Sequence, residues 1–450
     1  MDQQRSRRFA ATVVALSALV SSACYSTEMR NRQVLLSNGQ SPSPSVETII
    51  PTTGPDAGKS AAASRPGSGG ASPGAQGATD VGVMATTIKL GFVGDFSGQA
   101  RAIYGVSLDT INAFIADLNS RGGINGRRIQ LTYYSASYQS PDQVLAATRR
   151  LVEQDKVFAM IGLTGIDNAA TSAVPYMSDK GVPCAGCRAK GVRNLAMYRT
   201  AFDGQITPPD LGTVIGGFAA KRLGKKRMAI GYCPSAYSEW VKEAIGPAFR
   251  KFGGTVVDER DIGACDQTLM DSTVAAWYGI YPRPDVIAVV DPLGSAEGTA
   301  AARRMGWDVQ FIGAGGWFQV VLDIGGSQTE GMIGTADGYG PPGYDTPQMT
   351  HLRQVLKSYY PQRNVDVTVL NSWDWMSIFE EGARRAGPNL TRAGLISALN
   401  GLRDWNNGIG APLTFSPQRH MGRSATGLFR IHDEAFQRAT PEDFMSAGDF

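Results

Sequence analysis

The spacing of hydrophobic residues along residues 88–134 changes from that of a strand to that of a helix, and then back to that of a strand. Ile88, Leu90, Phe92 and Val93 form a nearly continuous apolar run, which is typical of a parallel strand covered on both faces. Apolar residues then recur at spacings of three and four, as on one face of a helix, at Leu108, Ile111, Ile115 and Leu118. Two glycines end this helix, and a second strand begins at residue 129. The pattern predicts a βαβ unit with its first loop, residues 95–104, at the carboxyl end of a strand, where open α/β sheets bind ligands.

The alternation of strands and helices continues through the chain and falls into two runs. In the first run, a strand at residues 157–163 and another that starts near residue 182 are separated by a helix. The second run begins near Asp210 and includes strands at 227–232 and 285–291. Parallel strands that alternate with helices build doubly wound sheets. The sequence therefore predicts an α/β protein with two three-layer (αβα) lobes, which 450 residues are enough to fill.

The N-terminus has the features of an export signal followed by a tether. Three arginines precede an apolar run, residues 9–20, that is too short to span a bilayer but fits the core of a signal peptide. Cys24 then resembles the cysteine of the bacterial lipobox, which receives a diacylglycerol anchor. Residues 24–86 are rich in Ser, Pro, Gly and Ala, which predicts a disordered tether. We expect residues 1–23 to be the signal peptide of a lipoprotein exported to the outer face of the cytoplasmic membrane. An ordinary signal peptide is the alternative.

Charge and motifs argue against several classes of function. The formal net charge is +3, and no block of Lys and Arg remains once the leader is removed, which argues against a nucleic-acid partner. The three histidines, His351, His420 and His432, have no metal-ligand spacing. No Gly-x-Ser-x-Gly elbow follows a predicted strand, because the string at residues 70–74 lies in the segment rich in Ser, Pro, Gly and Ala. The dinucleotide-like string at residues 338–343 contains two prolines, which lack the N–H groups that hold a pyrophosphate. We therefore predict a protein that is not an enzyme and has no metal and no cofactor.

Four cysteines remain beyond the anchor cysteine: Cys184, Cys187, Cys233 and Cys265. An even number in an exported chain predicts disulfides, and three connectivities are possible. We favour a pairing of Cys184 with Cys187 and of Cys233 with Cys265. The second of these bridges would tie the loops after two strands of the second run. The Cys-x-x-Cys pair is also compatible with redox chemistry, since the positive residues after it would lower a thiol pKa. Its position at the end of a strand, rather than at the start of a helix, favours a structural disulfide.

Several motifs, taken in order, resemble one family. They are Ile88–Gly98, Arg121–Ile129, Lys180–Pro183, Tyr198–Thr200 and Gly410–Phe415. Together they resemble the branched-chain amino-acid-binding (Leu/Ile/Val-binding-like) family of ABC-transporter substrate-binding proteins. The resemblance covers the chain from about residue 87 to the C-terminus and implies the type I periplasmic-binding-protein fold.

In that fold the two lobes are joined by a three-strand hinge. The resemblance implies that the chain passes between the lobes near residues 200–203, 334–337 and 410–412. The N-terminal lobe would then comprise residues 87–203 and 335–410, and the C-terminal lobe residues 204–334 and 411–450.

The resemblance also implies a ligand between the lobes. The residues expected to bind it are Ser97, Tyr104, Thr164, Gly165, Gly186, Cys187, Asp203, Tyr237, Asp291 and Trp317. Family members bind the ligand's carboxylate with hydroxyl groups and backbone N–H groups, which here indicates Thr164. Tyr104 and Tyr237 match aromatic residues that close over the ligand, and Asp203 matches an aspartate that receives its ammonium. The family's second acid is absent from the loop that ends in Trp317, so we expect a larger or flatter ligand than a branched-chain amino acid, such as an aromatic or amide compound.

A protein of this kind captures a small organic solute by hinge closure and delivers it, most simply as a monomer, to the permease subunits of an ABC importer. A lipoprotein that senses a ligand and signals to a membrane partner would have the same fold. A redox protein built on the Cys-x-x-Cys pair is the third hypothesis. A neighbouring permease gene would favour the first, a neighbouring kinase gene the second, and a dithiol titration would test the third.

Overall fold

The computed structural model describes residues 46–47, 77–97, 101–163, 168–187, 192–193, 195–316 and 319–450. The strands are β1 (Val46–Glu47), β2 (Thr87–Gly94), β3 (Arg128–Ser135), β4 (Ala159–Leu163), β5 (Cys184–Ala185), β6 (Ala201–Ile206), β7 (Arg227–Tyr232), β8 (Thr255–Asp261), β9 (Val286–Val290), β10 (Gln310–Gly316), β11 (Ile333–Thr335), β12 (Met421–Arg423), β13 (Ala425–Thr426), β14 (Leu428–His432), β15 (Ala435–Arg438) and β16 (Met445–Ser446). The α-helices are α1 (Arg101–Ser120), α2 (Pro141–Glu153), α3 (Asn168–Asp179), α4 (Pro208–Gly217), α5 (Ala236–Lys251), α6 (Gln267–Tyr278), α7 (Pro292–Arg304), α8 (Gln319–Gly325), α9 (Pro347–Tyr359), α10 (Val367–Ala386) and α11 (Arg392–Asn400).

The first sheet has seven strands in the order β1-β3-β2-β4-β5-β6-β12. All neighbouring pairs are parallel except β1 with β3. Every residue of β4 is buried, as expected for a parallel strand with helices on both faces. Helices α1 and α10 contribute Ile115 and Phe379 to one core cluster, and α2 and α3 contribute Val144 and Val174 to another. This lobe is therefore a three-layer αβα sandwich.

The second sheet also has seven strands, in the order β15-β14-β11-β10-β9-β7-β8. Strands β7 to β11 pair in parallel, and β14 runs antiparallel to both β11 and β15. Leu211 of α4 and Val241 of α5 belong to one core cluster, and Trp277 of α6 and Ala296 of α7 belong to another. The predicted architecture of two αβα lobes is confirmed.

The chain passes between the two sheets after β6, after β11 and between β12 and β14. The three passages run side by side: Ile206 donates its N–H to the carbonyl of Asp337 at 3.3 Å, and Gly427 donates its N–H to the carbonyl of Tyr339 at 2.9 Å. The third passage lies about a dozen residues after the predicted 410–412. The reason is that the chain first returns to the first sheet, where β12 pairs in parallel with β6.

Residues 77–86, which the composition assigns to the tether, are packed on the first lobe. Val83 is fully buried, and Asp80 accepts the backbone N–H of Arg392 at 2.6 Å. Thr79 donates its hydroxyl to the carbonyl of Leu390 at 2.6 Å. The predicted signal peptide and Cys24 lie outside the described residues. Within the described part of the chain, no helix is both long enough and apolar enough to span a membrane.

Candidate functional site

The carboxyl ends of β2, β4 and β5 lie at one edge of the first sheet, where the sequence predicts the ligand. Ser97 is exposed just after β2, and its Oγ lies 3.2 Å from the Oγ of Ser135 at the end of β3. Tyr104 lies in the first turn of α1 and is only 3% exposed, within the core cluster of the lobe. Thr164, Gly165 and Trp317 fall outside the described residues.

Two disulfide bonds join the four cysteines in the pairing that we favoured. Cys184 and Cys187 have Cα atoms 5.7 Å apart, and Cys233 and Cys265 have Cα atoms 5.6 Å apart. The second bridge ties the loops after β7 and β8. Cys187 is fully buried and its sulfur is already bonded, so only its backbone is left to contact a ligand.

Gly186 follows β5 and has a φ of 75°, a left-handed conformation that favours glycine. A Cβ at this position would lie 2.1 Å from Cδ1 of Trp375, so the absence of a side chain makes room for the indole. Gly162, near the end of β4, has a φ of 76° and contacts the other end of the same indole. Trp375 thus lies beneath the carboxyl ends of two strands, a position that the helix pattern alone did not reveal.

A buried ion pair joins the hinge to the first lobe. Arg423 of β12 and Asp374 of α10 are both 0% exposed and form two hydrogen bonds, at 2.8 and 2.9 Å. Arg423 also donates to the carbonyls of Gly204 and Ala411. Burial alone would lower the pKa of Arg423, but the charge and hydrogen bonds of Asp374 raise it, so the guanidinium stays charged. Sequence reasoning missed this pair, although a lone acid in the apolar stretch of α10 was a signal for a buried partner.

Uncharged polar side chains extend this cluster. Gln205 donates its Nε2 to the Oδ1 of Asn371, which also accepts the hydroxyl of Tyr339 at 2.9 Å. Burial, followed by the charges of Asp374 and Asp203, raises the pKa of Tyr339 well above its ordinary value. The phenol therefore stays protonated at neutral pH and acts as a donor.

Asp203, predicted to receive an ammonium, is fully buried in β6 beside this cluster. Its Oδ1 accepts the backbone N–H of Gln205 at 2.9 Å. Its charge acts on both Tyr339 and Arg423. An ammonium at Asp203 would therefore also be repelled by the nearby guanidinium of Arg423, which reduces the net attraction.

A carboxylate from elsewhere in the fold lies beside residues 313–316. A Cβ at Gly315 would lie 3.5 Å from the Oδ1 of Asp337, which is 6% exposed in the second passage of the hinge. This carboxylate belongs to a segment more than twenty residues later in the chain. A local sequence pattern cannot show this contact.

Asp291 and Tyr237 lie on the second lobe. Asp291 is the N-cap of α7, where its Oδ1 accepts the N–H of Gly294 at 2.6 Å. Burial raises the pKa of Asp291, while hydrogen bonds from the backbone of Gly294 and Leu293 lower it. Tyr237 is half-buried in the first turn of α5 and packs against the core of its own lobe.

The two lobes meet at α5. Trp240 of this helix packs against a core cluster of the first lobe. Arg193, which belongs to the first lobe, donates two hydrogen bonds to Glu243 of α5, at 2.7 and 2.6 Å. The same guanidinium lies 5.9 Å from the ring centroid of Trp240. These contacts join the two lobes, and we call the Arg193–Glu243 ion pair the latch.

The three histidines lie in three different surroundings. His420 is buried and stacks on Phe202 at 4.2 Å, and His351 contacts Asp117 at 3.1 Å. His432 is exposed on the second lobe with Glu330 and Asp433, at distances compatible with a metal ion. Hydrogen bonding to Glu330 raises the pKa of His432, so the ring is an ion-pair partner on the surface.

The sequence pattern of the periplasmic binding protein family matches residues 87–435, and this chain belongs to that family. The Leu/Ile/Val-binding protein of Escherichia coli (strain K12) is 24% identical to it over 278 residues, which cover 58% of this chain and 70% of that protein. A leucine-binding protein from Thermotoga maritima has a similar structure, with a TM-score of 0.67 and 17% identity over 81% of this chain and 100% of the other. A solute-binding protein of an ABC transporter from R. palustris, in complex with benzoate, has a TM-score of 0.66 and 17% identity over 78% of this chain and 95% of the other. The family that the motifs indicated is confirmed.

Proposed function

We propose that this protein captures a small organic solute between its two lobes and delivers it to an ABC importer. The observation that carries the proposal is the pair of αβα lobes joined by three adjacent passages of chain, within a family match that spans residues 87–435. Such lobes close over a ligand by rotation about the hinge. The proposal makes the protein a binding component and not an enzyme.

The proposed ligand is an amino acid, an amide or an aromatic acid. Thr164 and Gly165 would bind its anionic group with a hydroxyl and backbone N–H groups, and Trp317 would contact its apolar part. Asp337 beside Gly315 supports the amino-acid alternative, because a second carboxylate compensates an ammonium better than Asp203 does alone. The relative named for binding leucine, isoleucine and valine, and the structural neighbour in complex with benzoate, support both classes as candidates.

A thermal-shift screen of the purified chain with L-leucine, L-phenylalanine, benzoate and benzamide tests this proposal. A ligand at 100 times its dissociation constant adds about 2.7 kcal/mol to the free energy of unfolding. We expect benzoate, benzamide or L-phenylalanine to raise the melting temperature more than L-leucine does. A larger shift with L-leucine would contradict the expected ligand class, and no shift with any compound would contradict solute binding within these classes.

We further propose that Cys24 carries the lipid anchor, because it follows an export-signal pattern and precedes a long polar segment. Changing Cys24→Ser should release the protein from the membrane fraction, whereas the neighbouring control Ser22→Ala should leave it there. Mass spectrometry of the N-terminal peptide is the direct measurement. An unmodified Cys24 in membrane-bound wild-type protein would contradict the anchor.

A further inference from the structure

A cavity of about 430 Å³ lies on the helical layer of the first lobe, between the C-terminal half of α1, the start of α9, the second half of α10 and the loop at residues 405–407. This volume is in the range of small-molecule sites, roughly 300–1,000 Å³. Helix α1 starts just after β2, at the edge where the sequence predicts the solute. Phe114 lies about 20 Å further along the axis of this helix, at 1.5 Å per residue. The cavity is therefore separate from the predicted solute site.

Three aromatic side chains line the cavity: Phe114, Trp373 and Trp405. The rings of Phe114 and Trp373 meet edge to face with their centroids 4.7 Å apart, and Trp405 is half-buried. The backbone of Trp405 exchanges two hydrogen bonds with Leu413, each at 2.9 Å. Asn407, in the same loop, is hydrogen-bonded to both members of the buried ion pair beside the hinge. The aromatic wall is thus held in place before a ligand binds, which lowers the entropic cost of binding.

The charged side chains of the lining balance one another. Arg121 and Arg384 carry two positive charges, and Glu380 and Glu381 carry two negative charges. Glu380 lies 2.8 Å from Arg384, and Glu381 lies 2.6 Å from an arginine one turn later on α10. His351, which also lines the cavity, is hydrogen-bonded to a carboxylate outside the lining. A charged ligand would have to compete with these pairs, whereas the hydroxyl groups of a neutral ligand can donate to the carboxylates and accept from the guanidinium groups.

We propose that this cavity binds a neutral sugar ring. The C–H face of a pyranose is apolar and weakly positive, so it matches the negative face of an indole ring. Its hydroxyl groups match the balanced charges and two exposed amide side chains of the lining, Gln348 and Asn406. This binding site is independent of the solute proposed for the cleft between the lobes.

The test follows the indole N–H resonances of the full chain, labelled with ¹⁵N at its seven tryptophans, during titration with methyl β-glucopyranoside and with N-acetylglucosamine. Trp405→Phe identifies one resonance by its loss. We expect these neutral sugars to move the Trp405 resonance more than that of Trp307 on the second lobe, with a dissociation constant on the order of 1 mM. Glucuronate and glucosamine, which have the same ring with a negative or a positive charge, should bind at least about fivefold more weakly.

Saturation-transfer NMR of the sugar measures the affinity of the variants. Trp405→Ala should weaken binding about tenfold, and Gln348→Ala, which remains informative if the first variant does not fold, about threefold. Tyr281→Ala removes an aromatic side chain that is 96% exposed on the second lobe, and this control should change the affinity less than twofold. A Trp405 resonance that stays unmoved at about 50 mM of either neutral sugar would overturn the proposal. So would charged sugars that bind as tightly as neutral ones, or an unchanged affinity in the folded cavity variants.

Discussion

Replacing Arg423 by methionine should destabilise the protein strongly, because it leaves a carboxylate buried without its cation. Both side chains of the Arg423–Asp374 pair are 0% exposed. Asp374 would keep only its hydrogen bonds from Asn407 and from the hydroxyl of Tyr339, at 3.3 Å in the latter case. Removing one partner of a buried pair typically costs 3–5 kcal/mol, and we expect about 4 kcal/mol here.

The double variant Arg423→Met, Asp374→Leu should be more stable than either single variant, since it buries no uncompensated charge. We expect a coupling energy of about 2–3 kcal/mol in the double-mutant cycle. The matched control lies on the same helix, where Arg385 and Glu381 form an ion pair with side chains 44% and 27% exposed. Glu381→Gln should cost about 0.5 kcal/mol or less.

Urea unfolding followed by circular dichroism measures these differences, with the midpoint and the slope fitted for each variant. Because the pair joins the third passage of the hinge to the first lobe, Arg423→Met should also broaden the transition if the lobes unfold separately. A loss below about 1 kcal/mol for Arg423→Met would refute the reasoning that the buried guanidinium is needed to compensate Asp374.

Three further predictions concern the disulfides, a helix cap and the latch. Replacing Cys233 and Cys265 by alanine should cost about 3.7 kcal/mol in the chain-entropy model, because the bridge closes a separation of 32 residues. Urea unfolding would contradict this if the variant were as stable as the disulfide-bonded wild type. Burial raises the pKa of Asp366, the N-cap of α10, to about 6. Its folded pKa therefore lies above the unfolded value of about 3.9, so the wild type should lose stability relative to Asp366→Asn as the pH rises from about 4 to 6. If the free energies of unfolding of the two proteins change in parallel over this pH range, the carboxyl titrates normally and the prediction is wrong. Glu243→Gln, which breaks the latch to Arg193, should weaken solute binding roughly threefold at low salt and less at high salt, and calorimetry at two ionic strengths tests this.

The lobes could be predicted from the sequence because hydrophobic periodicity reports burial directly. Strand β4 is apolar along its whole length and is buried along its whole length. The hinge could be predicted only approximately, because β12 is three residues long and lies in a segment that has no strand pattern. Its pairing with β6 is set by contacts more than 200 residues apart, which no local pattern reports.

The polar residues of the candidate site divide in the same way. Asp203 could be identified from the motifs around it, whereas Asp337 lies beside Gly315 only because two distant loops meet. Trp375 and Asp374 are adjacent in a helix whose first three turns are almost wholly buried. Such a helix has no polar face that would indicate its orientation. Periodicity therefore cannot show which side chain faces the strand ends and which faces the hinge.

Glycines on three segments beside the hinge show why the ion pair can be buried there. A Cβ on Gly204 would lie 2.0 Å from the Oδ2 of Asp374, a Cβ on Gly338 would lie 2.9 Å from the Cδ of Arg423, and a Cβ on Gly410 would lie 2.8 Å from the Nε of Arg423. A side chain at any of the three would push the guanidinium away from its carboxylate. The ion pair can therefore be buried only where the three segments approach closely. A rotation of the lobes that separated these segments would expose or unpair a charge, at a cost in free energy.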